Sequence, residues 1–277
     1  MALRLNTNIS SNLATKVVKQ TQNNLTKSIQ KISTGSRINK SADDISGLTV
    51  SSRLRTDNVS LKQAINNTNL GISVIQTAEG SLNEVYNILT RMRELAVKSS
   101  NDTYNSTDRS QMQIEFNQLR SEISNISSHT NFNRKNLLSS TDTMKFQIGI
   151  HNKSNNQFSL ALSTISSSIG AIGISKGAIS ISNLSSSQKS ITIVDNALSS
   201  INDKRAKLGA YQNRLESALN TASTYSQNLS STVSSISDVD YATESANMTK
   251  YQIMQQAGVA SLSQAKSLPQ SILSLLS

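Results

Sequence analysis

Seven apolar residues fall at intervals of seven along the second half of the chain: Val194, Ile201, Leu208, Leu215, Ala222, Leu229 and Ile236. At this spacing side chains stay on one face of an α-helix, and a sustained repeat winds it left-handed around a partner. A second row on the same face, Ala197, Tyr211, Ala218, Tyr225 and Val239, is broken by Lys204 and Thr232. Two such rows over six heptads predict a coiled-coil seam. From Leu61 to Ala96 a further stripe recurs three or four residues apart, through Leu61, Ile65, Ile72, Ile75, Ala78, Leu82, Val85, Leu89, Met92 and Leu95. Gly71 and Gly80 interrupt it at a cost of about 1 kcal/mol each relative to alanine.

The composition favours the same architecture. Aromatic residues are 4% of the 277, Trp and Cys are absent, and the single proline is Pro269. With so few large apolar side chains, a thick core is not expected, and thin repetitive contacts between long helices take its place. Proline interrupts helices and ordinarily supplies about 5% of residues. Between about 140 and 190 the character changes: four of the ten glycines (Gly149, Gly170, Gly173, Gly177) sit there among many serines. Lys145 to Ile150 and Phe158 to Leu162 alternate polar and apolar, as half-buried strands do, with His151 to Asn156 as their turn. The expected fold is therefore mainly α: long antiparallel helices forming a coiled-coil rod, with one small β-hairpin in the centre.

Both ends are weakly amphipathic. Leu13, Val17, Leu25, Ile29 and Ile32 run along the first; Tyr251, Met254, Ala257, Ala260, Ala265, Leu268, Ile272 and Leu275 mark the second. Isolated helices of this kind are marginal, because burial of the apolar face supplies most helical stability. Nothing else in the chain is left to cover these faces, so other copies of it are expected to do so. The formal charge of +10 is spread singly among Ser, Asn and Thr, without basic runs or interleaved aromatics that would stack bases, so no nucleic-acid partner is expected. Residues 1–44 carry seven Lys/Arg and two Asp, a net of +5, whereas residues 236–277 have a net of −1. Pairing the ends thus avoids self-repulsion.

No catalytic chemistry is legible. His129 and His151 lie in no metal-ligand spacing, the glycines form no phosphate-binding loop, and no Gly-x-Ser-x-Gly occurs. No enzyme activity, metal or cofactor is expected. Asp43 and Asp44 are expected to make a local salt link with Arg37 or Arg55. No apolar run is long enough to span a bilayer, and Met1 to Ser10 has a lone Arg4 and no apolar core, so neither membrane insertion nor a Sec-type signal is expected.

Several blocks together carry a resemblance. Ile32-Ser-Thr-Gly-Ser-Arg-Ile-Asn-Lys-Ser-Ala-Asp-Asp-Ile-Ser-Gly-Leu48, Gln76-Thr-Ala-Glu-Gly-Ser-Leu-Asn-Glu84 and Arg91-Met-Arg-Glu-Leu-Ala-Val97 resemble, in order and spacing, the N-terminal blocks of bacterial flagellins. Leu208 to Ala218, Asp238-Val-Asp-Tyr-Ala-Thr-Glu244, Ile253 to Gly258 and Leu268-Pro-Gln-Ser-Ile-Leu-Ser-Leu-Leu276 resemble the C-terminal ones. The resemblance implies a self-assembling structural subunit of the flagellar filament. Residues 1–44 and 236–277 would form its inner core, 45–140 and 190–235 a helical coiled-coil domain, and 141–189 that domain's hairpin and Gly/Ser-rich loop. Core assembly then falls on Leu13, Val17, Leu25, Ile29, Tyr251, Met254, Leu268, Ile272 and Leu275.

The resemblance further implies export unfolded through the flagellar type III channel, to an extracellular filament. Its implied partners are an export chaperone on the C-terminal segment and the filament cap and junction proteins. The centre is short, so the outer variable domains of larger members are expected to be missing. The basic charge is unusual for the family and suggests a second, more acidic flagellin as a co-assembly partner. Some members are sensed by Toll-like receptor 5 through an Arg, a Leu and a Glu, which fall here on Arg91, Leu95 and Glu115; Arg91 and Glu115 equally suit subunit contacts. The rival readings are a hook–filament junction protein, a minor co-assembling flagellin and a basic coiled coil binding nucleic acid.

Overall fold

The computed structural model describes residues 8–175 and 179–276, with side chains at the C-terminal end described as far as Ser267. Its helices are α1 (Ile9–Thr34), α2 (Ile45–Ser99), α3 (Ser106–His129), α4 (Leu184–Ser237) and α5 (Tyr241–Leu276). Strand β1 (Asn131–Phe132) pairs antiparallel with β2 (Lys135–Asn136), and β3 (Thr143–Gln147) pairs antiparallel with β4 (Gln157–Ala161). The fold is thus mainly α with two small hairpins where one was expected. The chain divides into two compact units, one of residues 1–58 with 228–277 and one of residues 59–227. The sequence boundary at 44/45 lies at the start of α2, and that at 235/236 lies within the last turn of α4. Packing carries the terminal unit further, into the first turns of α2 and the last of α4, where Arg55 donates to Ser237 Oγ at 2.7 Å.

In the unit of residues 59–227, the stripe of α2 and the heptad row of α4 both supply a continuous core. Ile75, Leu82, Val85, Leu89 and Met92 are fully buried, as are Val194, Ile201, Leu208 and Leu215. Helix α3 adds Phe116 and Ile123. It begins at a capping box, Asn105 accepting from Asp108 N while Asp108 accepts from Asn105 N, so two orphan helix donors are satisfied reciprocally. The larger hairpin lays Phe146 opposite Phe158 and Met144 opposite Leu160. Phe158 meets Tyr211 edge-on, 5.5 Å between centroids. The buried Gly71 makes this approach possible: a Cβ there would stand 3.2 Å from Leu215 Cδ1 and 3.5 Å from Phe146 Cδ1. Close packing thus offsets the helix-propensity cost of that glycine.

The hairpin between α3 and the larger hairpin escaped the sequence reading. Its turn holds Asn133 at φ 47° and Arg134 at φ 64°, so both central residues are left-handed, as two-residue hairpin turns require. The usual Asn-Gly or Asp-Gly signal is replaced here by Asn-Arg. The Gly/Ser-rich stretch is also more than a loop, for its isoleucines Ile165, Ile172, Ile174, Ile179 and Ile181 join the core. Gln113 Oε1 accepts from Ile181 N at 2.6 Å, and Ser99 Oγ donates to Ile181 O at 2.6 Å, which fixes that segment between α2 and α3.

Candidate assembly surface

In the terminal unit, α1 and α5 run antiparallel and pack against each other. Asn8 caps α1 by accepting from Ser11 N and donates through Nδ2 to Ala265 O at 2.7 Å. Gln255 donates to Gln22, Lys31 faces Glu244 at 3.8 Å, and the Tyr241 hydroxyl donates to Ile32 O at 3.0 Å. These contacts fix a single register. At its far end the two linkers also pair: Val239 N donates to Gly35 O at 3.0 Å and Arg37 N to Ser237 O at 2.7 Å. Gly35 sits at φ 68°, the left-handed helix stop that a side chain would disfavour. Asp240 holds the start of α5 by accepting from Ala242 N, Thr243 N and Thr243 Oγ1. These hydrogen bonds, the Thr243 hydroxyl first, hold its carboxyl below the usual Asp range.

The residues forming this seam coincide only in part with the amphipathic stripes, sharing Leu25, Ile32, Tyr251 and Ala265. On α1 the covered positions are Ser11, Ala14, Val18, Thr21, Leu25, Ser28 and Ile32; on α5 they are Glu244, Met248, Tyr251, Gln255, Gly258, Leu262 and Ala265. Both series alternate steps of three and four, the spacing of a coiled-coil seam. Many members are small or polar, and the seam is tight: a Cβ on Gly258 would stand 2.9 Å from Val18 Cγ2. Val18, Leu25, Ile32, Met248, Tyr251 and Leu262 are its larger apolar members, and several others face outward. Ile9 is 64% exposed, Leu13 62%, Val17 48% and Ile29 47%; on α5, Ile253 is 61%, Met254 42% and Val259 52% exposed.

The nine positions expected to build the filament core therefore separate. Leu13, Val17, Ile29 and Met254 stand open, Leu25 is buried against the partner helix, and Tyr251 is half-buried in the seam. The side chains of Leu268, Ile272 and Leu275 lie outside the described residues, although the backbone there continues α5. Of the heptad row, Val194 to Leu215 are fully buried, Ala222 and Leu229 are 8% and 5% exposed, and Ile236 is half-buried. Lys204, one of the two polar exceptions in the second row, is buried and donates to Ser200 Oγ at 2.7 Å. Burial lowers its pKa, Lys207 adds to the effect, and Asp203 opposes it.

Arg91 bonds Glu115 through Nε at 2.9 Å and Glu94 through Nη1 at 2.9 Å, all on the surface. These pairs raise the Arg91 pKa, the bond to Glu94 foremost. Leu95, one turn on, is 3% exposed and belongs to the core. The expected salt link of Asp43 or Asp44 to Arg37 or Arg55 is replaced by local capping. Asp43 accepts from Asn39 N and Lys40 N, which lowers its pKa, and Asp44 accepts from Gly47 N at the start of α2. Arg37 instead donates to Ile236 O. Backbone donors that need no side-chain reach win over exposed ion pairs worth little. Among the described residues no group of three His, Asp or Glu could hold a metal ion, and no helix is long and apolar enough to cross a membrane.

The paired terminal helices thus carry exposed large apolar side chains, a kind of surface that marks interaction sites. The bacterial flagellin N-terminal helical region matches residues 5–143 and the C-terminal helical region residues 191–276. A flagellar filament 30.7 kDa core protein of Treponema maltophilum is 39% identical over 99% of both chains, and a flagellin of Halalkalibacterium halodurans is 41% identical over 90% of this chain and 91% of its own. The chain belongs to the bacterial flagellin family. A putative flagellar hook-associated protein from Vibrio parahaemolyticus shares the fold at a TM-score of 0.59 and 14% identity, covering 71% of this chain and 100% of that one.

Proposed function

We propose that this chain is the structural subunit of a bacterial flagellar filament, assembling through the outward faces of its paired terminal helices. The carrying observation is the separation of faces on α1 and α5. Their mutual seam mixes small and polar residues with Val18, Leu25, Ile32, Met248, Tyr251 and Leu262, while Leu13, Val17, Ile29, Ile253, Met254 and Val259 stay exposed. Burying a Leu or Ile of this kind stabilises by about 1.5–3 kcal/mol, so repeated between many copies these side chains supply the driving force. The names of its relatives, a flagellar filament core protein and a flagellin, support the same reading.

The terminal motif from Leu268 to Leu276 supports a part in assembly for Leu268, Ile272 and Leu275 as well. The heptad row from Val194 to Ile236 would serve as the scaffold that presents it. Family membership supports export through the type III channel, an export chaperone on the C-terminal segment, and cap and junction partners. A receptor of the Toll-like receptor 5 kind would meet the exposed Arg91 and Glu115 on the isolated subunit, with Leu95 supporting them from beneath. The net charge of +10 favours one second reading, co-assembly with a more acidic flagellin.

Seeded polymerisation of purified monomer, followed by electron microscopy, tests the proposal. Long filaments from this chain alone are expected. Failure to extend seeds at every salt concentration, with the middle unit folded by circular dichroism, would overturn self-assembly in favour of a junction or obligate co-assembling role.

A further inference from the structure

Sulfur in this chain is confined to methionine, since cysteine is absent. Met92 and Met112 are buried in the core at 0% and 9% exposure, and Met144 and Met248 are half-buried. Met254 alone among the described methionines is exposed, at 42%, on α5 next to Ile253, which is 61% exposed. The accessible thioether thus coincides with the apolar face that the filament reading buries, on which this inference rests.

We propose that Met254 is a peroxide-sensitive modification site that controls whether the subunit can assemble. A lone pair on Met254 Sδ attacks one oxygen of hydrogen peroxide; the O–O bond breaks as the S–O bond forms. Sulfur loses two electrons to become the sulfoxide, and the other peroxide oxygen leaves as water after the proton shift. The product replaces a flexible apolar side chain with a strongly polar, chiral one. In the free subunit it costs little, because the site is open to water. In a subunit interface the same S–O dipole must be desolvated on an apolar face beside Ile253, with no donor assigned to it. Oxidation therefore acts on assembly while leaving the fold intact, and assembly in turn shields the sulfur from peroxide.

The test uses the full chain. Monomer is treated with hydrogen peroxide until about half of Met254 is oxidised, the peroxide is removed, and filaments are grown on unoxidised seeds. Pellet and supernatant are separated and mapped by peptide mass spectrometry. The expected result is Met254 sulfoxide enriched roughly tenfold or more in the supernatant over the pellet, from the cost of burying an unpaired polar group. Preformed filaments should oxidise at Met254 more slowly than monomer, and a sulfoxide reductase should return the supernatant protein to the growing pool.

In a Met254→Leu chain, whatever its own starting critical concentration, peroxide should leave that concentration unchanged. Equal sulfoxide in both fractions would overturn the inference, as would equal oxidation rates in monomer and filament. A loss of growth that tracks Met248 or Met144 sulfoxide would overturn it as well. Failure of untreated monomer to grow, seen before peroxide is added, would overturn the filament reading and this inference with it.

Discussion

Lys204 sits in the second apolar row of α4 with one hydroxyl partner, Ser200, at 2.7 Å. Desolvation there disfavours the charged form, so its folded-state pKa is lowered below the unfolded value of about 10.4. Between those two values the unfolded chain binds more protons, and stability rises with pH; below the folded value the full penalty remains. Lys204→Met should therefore stabilise the unit of residues 59–227 at neutral pH by on the order of 1 kcal/mol. The gap between variant and wild type should close as pH approaches 10.4, about the unfolded lysine value. Thermal melts across that range check it, and a pH-independent gap would show that packing rather than charge is responsible. Gly258 makes the opposite case. Its missing Cβ keeps Val18 Cγ2 at van der Waals range, and Val18 has little rotamer freedom in a helix. Gly258→Leu should separate α1 from α5, seen as faster amide exchange along both helices, while the melt of residues 59–227 stays at its wild-type position.

Helix α5 depends on both of its ends. Asp240 accepts hydrogen bonds at its start that lower its pKa, so this contribution is present above the ordinary Asp value and is lost as pH falls through the folded one. Asp240→Asn keeps an acceptor for the backbone donors but cannot titrate. Amide exchange in the first turn of α5 should accelerate in acid for the wild type and change much less in the variant. At the other end, removing residues 268–277 should leave residues 59–227 folded by circular dichroism and abolish growth on seeds; truncated chains that still extend filaments would refute end-driven assembly. The long helices were legible in the sequence because the α4 row and the α2 stripe repeat large aliphatic residues with few gaps. The α1–α5 seam was not, because Ser11, Thr21, Ser28, Gln255 and Gly258 carry no hydrophobic signal. The hydrophobic signal sits partly on Leu13, Val17 and Met254, which face the other way, and partly on Leu25, Ile32 and Tyr251 within the seam. The small hairpin was hidden by the Asn133–Arg134 turn, and the core role of Ile172 and Ile181 by the serines around them.

At the scale of the whole molecule, charge decides between the two filament readings, because they respond to salt with opposite sign. Each subunit carries +10, and residues 1–44 hold +5 of it against −1 on residues 236–277. Pairing α1 with α5 leaves the terminal helices basic, with Lys31 facing Glu244 as the one ion pair between them among the described residues. A homopolymer stacks these like charges, so screening helps it. The Debye length shrinks from about 10 Å at 0.1 M to about 3 Å at 1 M, and the critical concentration of the pure chain should fall over that range of sodium chloride. The chloride salt isolates screening from the strengthening of apolar burial that sulfate would add. A filament built jointly with an acidic flagellin instead gains from attraction between unlike subunits, which the same salt weakens. Growth of the mixture should then be best at low salt and approach the rate of the separate chains as salt rises. If the pure chain's critical concentration is flat across that range, its Lys and Arg side chains point into solvent in the filament. The repulsion argument then fails, and with it the case for an acidic partner.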